Sequence, residues 1–312
     1  MTGPLDSLRV RERVLGLGEV VRHSARAADP STLEGLSPAT VVIATTPFTR
    51  LAGEILLAST ASDATIPVVG WHHDTPPPWA DTSTLVVALD DRVAERWHHS
   101  GLAAPMIAPE AVDAELRAVA TTSFVAAVLA ALGGVPAVTP IDMEEVASHL
   151  ETLAVALPVS GTGVPDPARL ARRIGRTMVL AYGAGASGGV VADVWKSAIN
   201  RSAKAPAFAN SLPDLLADEL CGWGQHGDVT RQVFTWLDLR HGFETVAELD
   251  QLGRMPDFVE EVVADRLAVE VSAPSPVAAM LSHVMVAELT AVEMAAIAGV
   301  DPGPTPAART FG

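Results

Sequence analysis

Apolar residues in this chain alternate between short continuous runs and longer stretches at helical spacing. The runs at 41–44, 66–71, 85–89, 176–181 and 205–209 are apolar nearly throughout, as strands buried on both faces of a parallel sheet are. Elsewhere apolar positions recur with the period of an amphipathic helix, which predicts helices over 5–23, 51–57, 90–99, 120–132 and 143–156, and from Val190 to Ile199. Start signals agree. Thr45 and Thr46 offer capping hydroxyls ahead of Pro47, Asp90 and Asp91 open the next helix, and Gly133-Gly134 stops the helix at 120–132. Ser275 and Pro276 begin an apolar helix that runs to Gly299. Strands followed by helices in this order predict an α/β fold with parallel sheets flanked by helices.

Pro136, Pro140, Pro158, Pro165 and Pro167 punctuate the middle of the chain. They place a domain boundary near 157, giving lobes 1–157 and 158–312, with the helix at 143–156 crossing between them. The helix ending at Gly299 is long enough for a bilayer. His283, Glu288 and Glu293 interrupt it, so it reads as a buried core helix and no membrane partner is expected. The Ala- and Val-rich stretches 123–132 and 277–298 have too few polar positions for a solvated surface, which predicts burial between lobes or between subunits.

Composition narrows the function classes. With 49% hydrophobic residues in 312, the chain supports a large core. A formal net charge of −16 argues against a nucleic-acid partner. It leaves room for a small anion held by backbone amides. Cys221 is the single cysteine, which excludes an intramolecular disulfide, and no cationic run with an apolar core opens the sequence; a cytoplasmic protein is expected.

The densest chemistry lies at Tyr182-Gly-Ala-Gly-Ala-Ser-Gly-Gly, a glycine turn between a strand and a helix whose amides face whatever sits above it. Gly183 to Gly188 satisfies the dinucleotide pattern, but Asn210 stands where the acidic residue ending the next strand belongs. Lys196, Asn200 and Lys204 fall on successive turns of one helix face, either solvating it or lining a cleft. His72-His73-Asp74 and His98-His99 carry no metal-ligand spacing, because neighbours on a strand point to opposite faces. No metal and no cofactor are expected.

Trp195-Lys196, the stretch from Asn200 to Phe208, and 213–223 resemble the second half of the bifunctional phosphoglucose/phosphomannose isomerases. Those are two-lobed proteins of the sugar isomerase (SIS) fold. Their segments run Trp-Lys-x-x-x-Asn-Glu-Asn-Ala-Lys-Ala-Pro and Pro-Glu-Leu-Asn-His-Asn-Glu-Ile-Val-Gly-Trp, and order and spacing match without a gap. The ending Ala298-Gly-Val-Asp-Pro-Gly-Pro is also similar. The resemblance implies two SIS-type lobes, flavodoxin-like and three-layered αβα, a homodimer, and a sugar phosphate or related carbohydrate derivative as ligand.

The catalytic letters differ from that family. Its glutamate base falls on Arg201, which stays protonated and cannot abstract a proton. Its histidine falls on Ala217; Glu219 persists in the same motif, and His226 is the next histidine. The family's Ser-Tyr-Ser-Gly-Asn-Thr phosphate loop is replaced around Asp90-Asp91, with no serine or threonine over 85–99. Its Gly-Met-Gly-Gly-Ser cradle reads Thr45-Thr46-Pro-Phe-Thr49-Arg50, and its Pro-Arg pair has no counterpart near Thr121-Thr122. The expected ligand-binding set is therefore Thr45, Thr46, Thr49, Arg50, Gly183, Gly185, Ser187, Lys196, Asn200 and Lys204. The leading expectation is a degenerate isomerase that binds a carbohydrate derivative in a regulatory or scaffolding role. Two alternatives stand: an active isomerase with Glu219 as base and His226 as acid, and a nucleotide-binding protein using the turn at 183–188. Arg201 is expected either to meet Asp90 and Asp91 across the old cleft or to point to solvent.

Overall fold

A computed structural model of the chain describes residues 5–60, 64–73, 75–98, 114–132, 140–157, 164–222, 225–259 and 261–303. Asp74, His99, Gly133, Gly134, Pro136, Pro158, Trp223 and Pro304, all used in the sequence reading, lie outside the described residues. The helix expected over 5–23 is broken at Gly16 into α1 (Val10–Leu15) and α2 (Leu17–Ala27). A glycine in a helix interior costs roughly 1 kcal/mol against alanine, and here its amide closes α1 on the carbonyls of Glu12 and Arg13.

Next come β1 (Thr40–Ala44), α3 (Arg50–Thr60), β2 (Val68–Trp71), β3 (Thr84–Ala88), α4 (Asp91–His98), α5 (Ala114–Leu129) and α6 (Pro140–Ala156). The strands form one parallel sheet in the order β2-β1-β3. The β-branched run Val41-Val42-Ile43 makes β1 central, since both its faces are covered. Helix α3 covers the expected 51–57 and begins at Arg50, later than the start signal at Thr45, Thr46 and Pro47 implied. Thr49 Oγ1 accepts from the Thr46 amide at 3.0 Å, so Pro47 lies in a turn ahead of the helix instead of its first turn.

The remaining elements are α7 (Pro167–Ile174), β4 (Met178–Ala184), α8 (Gly185–Ala198), a π-helical turn (Ile199–Ala203), β5 (Ala207–Leu212), α9 (Asp214–Ala217), α10 (Glu219–Gly222), α11 (Gly227–Val233), β6 (Phe234–Arg240), α12 (Val246–Val259), β7 (Asp265–Glu270) and α13 (Pro276–Ala298). Their sheet is parallel throughout, in the order β5-β4-β6-β7. The glycine turn is tighter than the sequence implied: β4 runs to Ala184 and α8 begins at the next residue, Gly185, at φ 67°. Gly183 is required by contact, because a Cβ there would lie 2.4 Å from the carbonyl oxygen of Gly188.

Ser275 caps α13 by accepting from the Ala278 amide, and Gly299 ends it at φ 69°, as the sequence predicted. The helix is buried by its own surroundings, packing against α1, α7 and α8. Helix α5 is likewise covered by α2 and α3. Both stretches are buried, as the sequence predicted, and the helices that cover them belong to the same unit in each case.

By contact the chain divides into residues 17–149 and a second unit made of 1–16 with 150–312. The division falls at Leu150, inside α6, whereas the sequence reading placed it at the end of that helix. In the second unit the amide of Ser7 bonds Asp301 at 3.3 Å, Arg11 pairs with Glu293, and Gly303 packs on Leu8. The start of the chain is thus tied to α13 and the residues after it.

Candidate functional site

In a parallel α/β sheet, ligands bind where strands end and helices begin. The unit spanning 17–149 has such an edge at 45–50, 71–73 and 89–90. Thr45 is buried, and its Oγ1 lies 2.5 Å from Nδ1 of His72. Burial lowers the His72 pKa, with Arg50 and His73 adding to it, so the imidazole is neutral near pH 7. Thr46 Oγ1 lies 3.3 Å from Thr49 Oγ1 and donates to Asp90 Oδ2 at 3.4 Å. Arg50 pairs at 2.7 Å with Glu54, one turn further along its helix. The four expected ligand residues lie in one short segment with different partners: Thr45 on His72, Thr46 on Thr49 and Asp90, and Arg50 on Glu54. A hollow of about 320 Å³ in this unit lies at the opposite edge, between Thr32, Ser37, Ser83 and Thr84.

The second sheet presents Tyr182, Asn210 and Asp238 side by side on β4, β5 and β6. Glu219, at the start of α10, accepts from the Tyr182 hydroxyl at 2.5 Å and from Asn210 Nδ2 at 2.7 Å. Burial, then the hydrogen bond to Glu219, holds the phenol protonated far above its ordinary range. Asp238 is buried and neutralised by Arg240 and Arg266. Among the described residues no bond joins Glu219 to His226, which is exposed at the start of α11. Ala217 is exposed at the end of α9.

At the glycine turn, a Cβ on Gly185 would lie 1.9 Å from Glu248 Oε1, so that carboxylate stands directly over the start of α8. Glu248 also accepts from the Thr245 amide at 2.7 Å, capping its own helix α12. A negative group already seated there repels a pyrophosphate, which argues against the nucleotide reading. Ser187 is half-buried in the first turn of α8.

Lys196, Asn200 and Lys204 do not share one face. The π-helical turn between them widens the helix, so positions four apart no longer stack. Lys196 lies 3.8 Å from Asp193, Asn200 accepts from the Ala207 amide at 2.9 Å, and Lys204 Nζ donates to the carbonyls of Arg201 and Pro302. Burial lowers the Lys204 pKa; Asp301 opposes that shift and Arg201 adds to it. The Arg201 side chain is 23% exposed. It pairs with Glu288 of α13, a carboxylate 3% exposed that also accepts from Ser202 Oγ at 2.9 Å.

Residues 165–311 match the bacterial phospho-glucose isomerase C-terminal SIS domain. Among solved structures, tagatose-6-phosphate ketose/aldose isomerase from Escherichia coli superposes with a TM-score of 0.71 at 12% identity, covering 97% of this chain and 98% of its own. The C-terminal domain of glucosamine-fructose-6-phosphate aminotransferase from Francisella tularensis gives 0.66 at 10% identity, covering 95% and 98%. The chain has the SIS fold. No curated protein sequence matches it.

Within this SIS fold, three residues of the site were missed as such in the sequence: Glu288, Glu248 and Tyr182. Glu288 had a signal, since a carboxylate inside an apolar helix requires a partner. Glu248 had one too, three positions from a hydroxyl-capped start at Thr245. Nothing local marks Tyr182 as the donor to Glu219.

Proposed function

We propose that this SIS protein binds a carbohydrate derivative without interconverting aldose and ketose phosphates, and acts as a regulatory or scaffolding partner in sugar-phosphate metabolism. The Arg201–Glu288 pair carries the reading. Where the resemblance puts the catalytic base stands a guanidinium, and the carboxylate that answers it is buried and engaged by two donors. Such a carboxylate is an internal counter-ion, out of reach of a substrate carbon. The sugar-phosphate class comes from the names of the two structural relatives, one an isomerase of tagatose 6-phosphate and the other an aminotransferase of fructose 6-phosphate. A homodimer, implied by the resemblance, belongs to this proposal; light scattering should give twice 32.4 kDa.

A second reading keeps isomerase activity with Glu219 as the base. The half-buried Glu219 at the sheet edge, beside a phenol that stays protonated, favours it. A coupled assay with glucose, mannose and fructose 6-phosphates separates the two. No turnover is expected; a rate above about 1 s⁻¹, the low end for ordinary enzymes, that disappears in Glu219→Gln would establish the second reading. A thermal-shift screen with hexose phosphates, UDP- and GDP-sugars and NAD(P) tests binding, since a ligand of the native state raises the melting temperature.

A further inference from the structure

Beside the Thr45–His72 contact, the end of β2 carries an aromatic corner that the proposed function has not used. Trp71 and Trp79 meet edge to face, with centroids 6.4 Å apart at 83°, and His73 lies 4.9 Å from Trp71. The Trp71 indole is fixed by its N–H, which donates to the Thr75 carbonyl at 2.7 Å. Pro76, Pro77 and Pro78 stiffen the return to Trp79. Trp79 is 49% exposed, a large apolar side chain left facing water. Strand register then sets what lies alongside. Trp71 pairs with Ala44, and Ala44 pairs with Ala88, so the residues after β1 and β3, Thr46 and Asp90, leave the same edge within about 10 Å, two strand spacings.

We propose that this corner is a sugar-binding platform, with exposed Trp79 stacking on the ring of an uncharged, hydroxyl-rich saccharide unit, Trp71 holding Trp79 edge to face from the core side, and the Thr46–Asp90 pair receiving the sugar's hydroxyls. The inference rests on the reading that the chain binds a carbohydrate derivative, and names the part of that ligand it grips. The C–H face of a pyranose is weakly positive and complements the negative face of an indole. Its rim needs acceptors, and a carboxylate is a strong one for hydroxyl donors. A phosphate fits poorly here, because Asp90 repels it and Arg50 is turned toward Glu54. Neutral His72 supplies no counter-charge either.

The test uses the full chain with methyl α-D-glucopyranoside and N-acetyl-D-glucosamine as probes, read by ligand-observed saturation-transfer NMR and tryptophan fluorescence. Saturation should reach the ring C–H protons at millimolar ligand. Trp79→Ala should weaken binding by about tenfold or more, and Trp79→Phe should keep most of it, with circular dichroism unchanged in both. Equal binding by wild type and Trp79→Ala would overturn the platform while leaving carbohydrate binding in place. So would binding confined to phosphorylated sugars and displaced by inorganic phosphate, or an absence of binding by either probe. Isomerase turnover in a chain whose sugar binding still depends on Trp79 would sink only the non-catalytic reading.

Discussion

Arg201, on the π-helical turn after α8, is held by Glu288, a carboxylate buried in the middle of α13. The acid that the resemblance places on the first of these elements has its nearest equivalent on the second, facing inward and neutralised. Removing one partner of a buried pair leaves the other uncompensated, at about 3 kcal/mol or more. Arg201→Met should therefore destabilise strongly, and Arg201→Met with Glu288→Leu should recover much of the loss. Urea denaturation of the single and double variants checks this; a single variant within about 0.5 kcal/mol of wild type would show the pair to be idle.

Tyr182 is the only tyrosine in the chain, so an alkaline absorbance titration reads it alone. Its phenol is buried and bonded to Glu219, and its pKa is raised above the ordinary 10.0. The unfolded chain ionises near pH 10.0 while the native one does not, so the native state holds the extra proton and stability falls as pH rises past that point. No tyrosinate signal should appear before the protein unfolds. A native tyrosinate at pH 10.0 would contradict the buried hydrogen bond.

His283 gives the opposite end of the pH profile. It is fully buried, bonded to Trp195 Nε1 at 3.2 Å and to the Arg240 carbonyl at 2.9 Å, and its pKa is lowered from 6.5 to about 4, chiefly by burial, with His241 adding to the shift and Arg240 opposing it. Its folded pKa lies below its unfolded one, so the contribution is complete above pH 6.5 and is lost as pH falls toward 4. The difference corresponds to about 3 kcal/mol, at 1.36 per pH unit. Comparing wild type with His283→Gln across that window isolates the histidine from the carboxylates; an identical slope in both would refute the assignment.

Two glycines should answer an alanine scan in opposite ways. Gly183→Ala drives a Cβ into the backbone of Gly188, where no side chain can give way. It should cost several kcal/mol, comparable to severe overpacking at about 3, and lower the melting temperature sharply. Gly253, exposed inside α12, has nothing within 4 Å of an added Cβ. Gly253→Ala should stabilise by about 0.5–1 kcal/mol. Differential scanning fluorimetry distinguishes the two; a harmless Gly183→Ala would mean that the β4–α8 contact is looser than described.

Local chemistry made part of this molecule legible. The apolar runs at 41–44 and 85–89 became β1 and β3, and Ser275, Pro276 and Gly299 bounded α13 because caps act within one turn. Strands β6 and β7 were not picked out. The first carries buried Thr235 and Asp238 among its apolar residues, and the second alternates polar and apolar as an edge strand does. The π-helical turn and the Glu288 partnership were illegible for a different reason: each depends on residues that meet only after folding. The elements that carry the candidate residues were therefore legible in the sequence, while the charge pairing among those residues was not.

The tie between residues 5–16 and α13 has a consequence for how the protein is made. Ser7, Leu8 and Arg11 leave the ribosome long before Glu293, Asp301 and Gly303, the residues they must meet. The unit at 17–149 holds all its own strands and can close while synthesis continues, but the other unit stays open until translation of α13 is finished. Contacts so distant in sequence are slow to form. A fragment starting after residue 16 would leave bare the surface of α13 that α1 covers, and during that interval the nascent chain exposes the same surface to chaperones and to other chains.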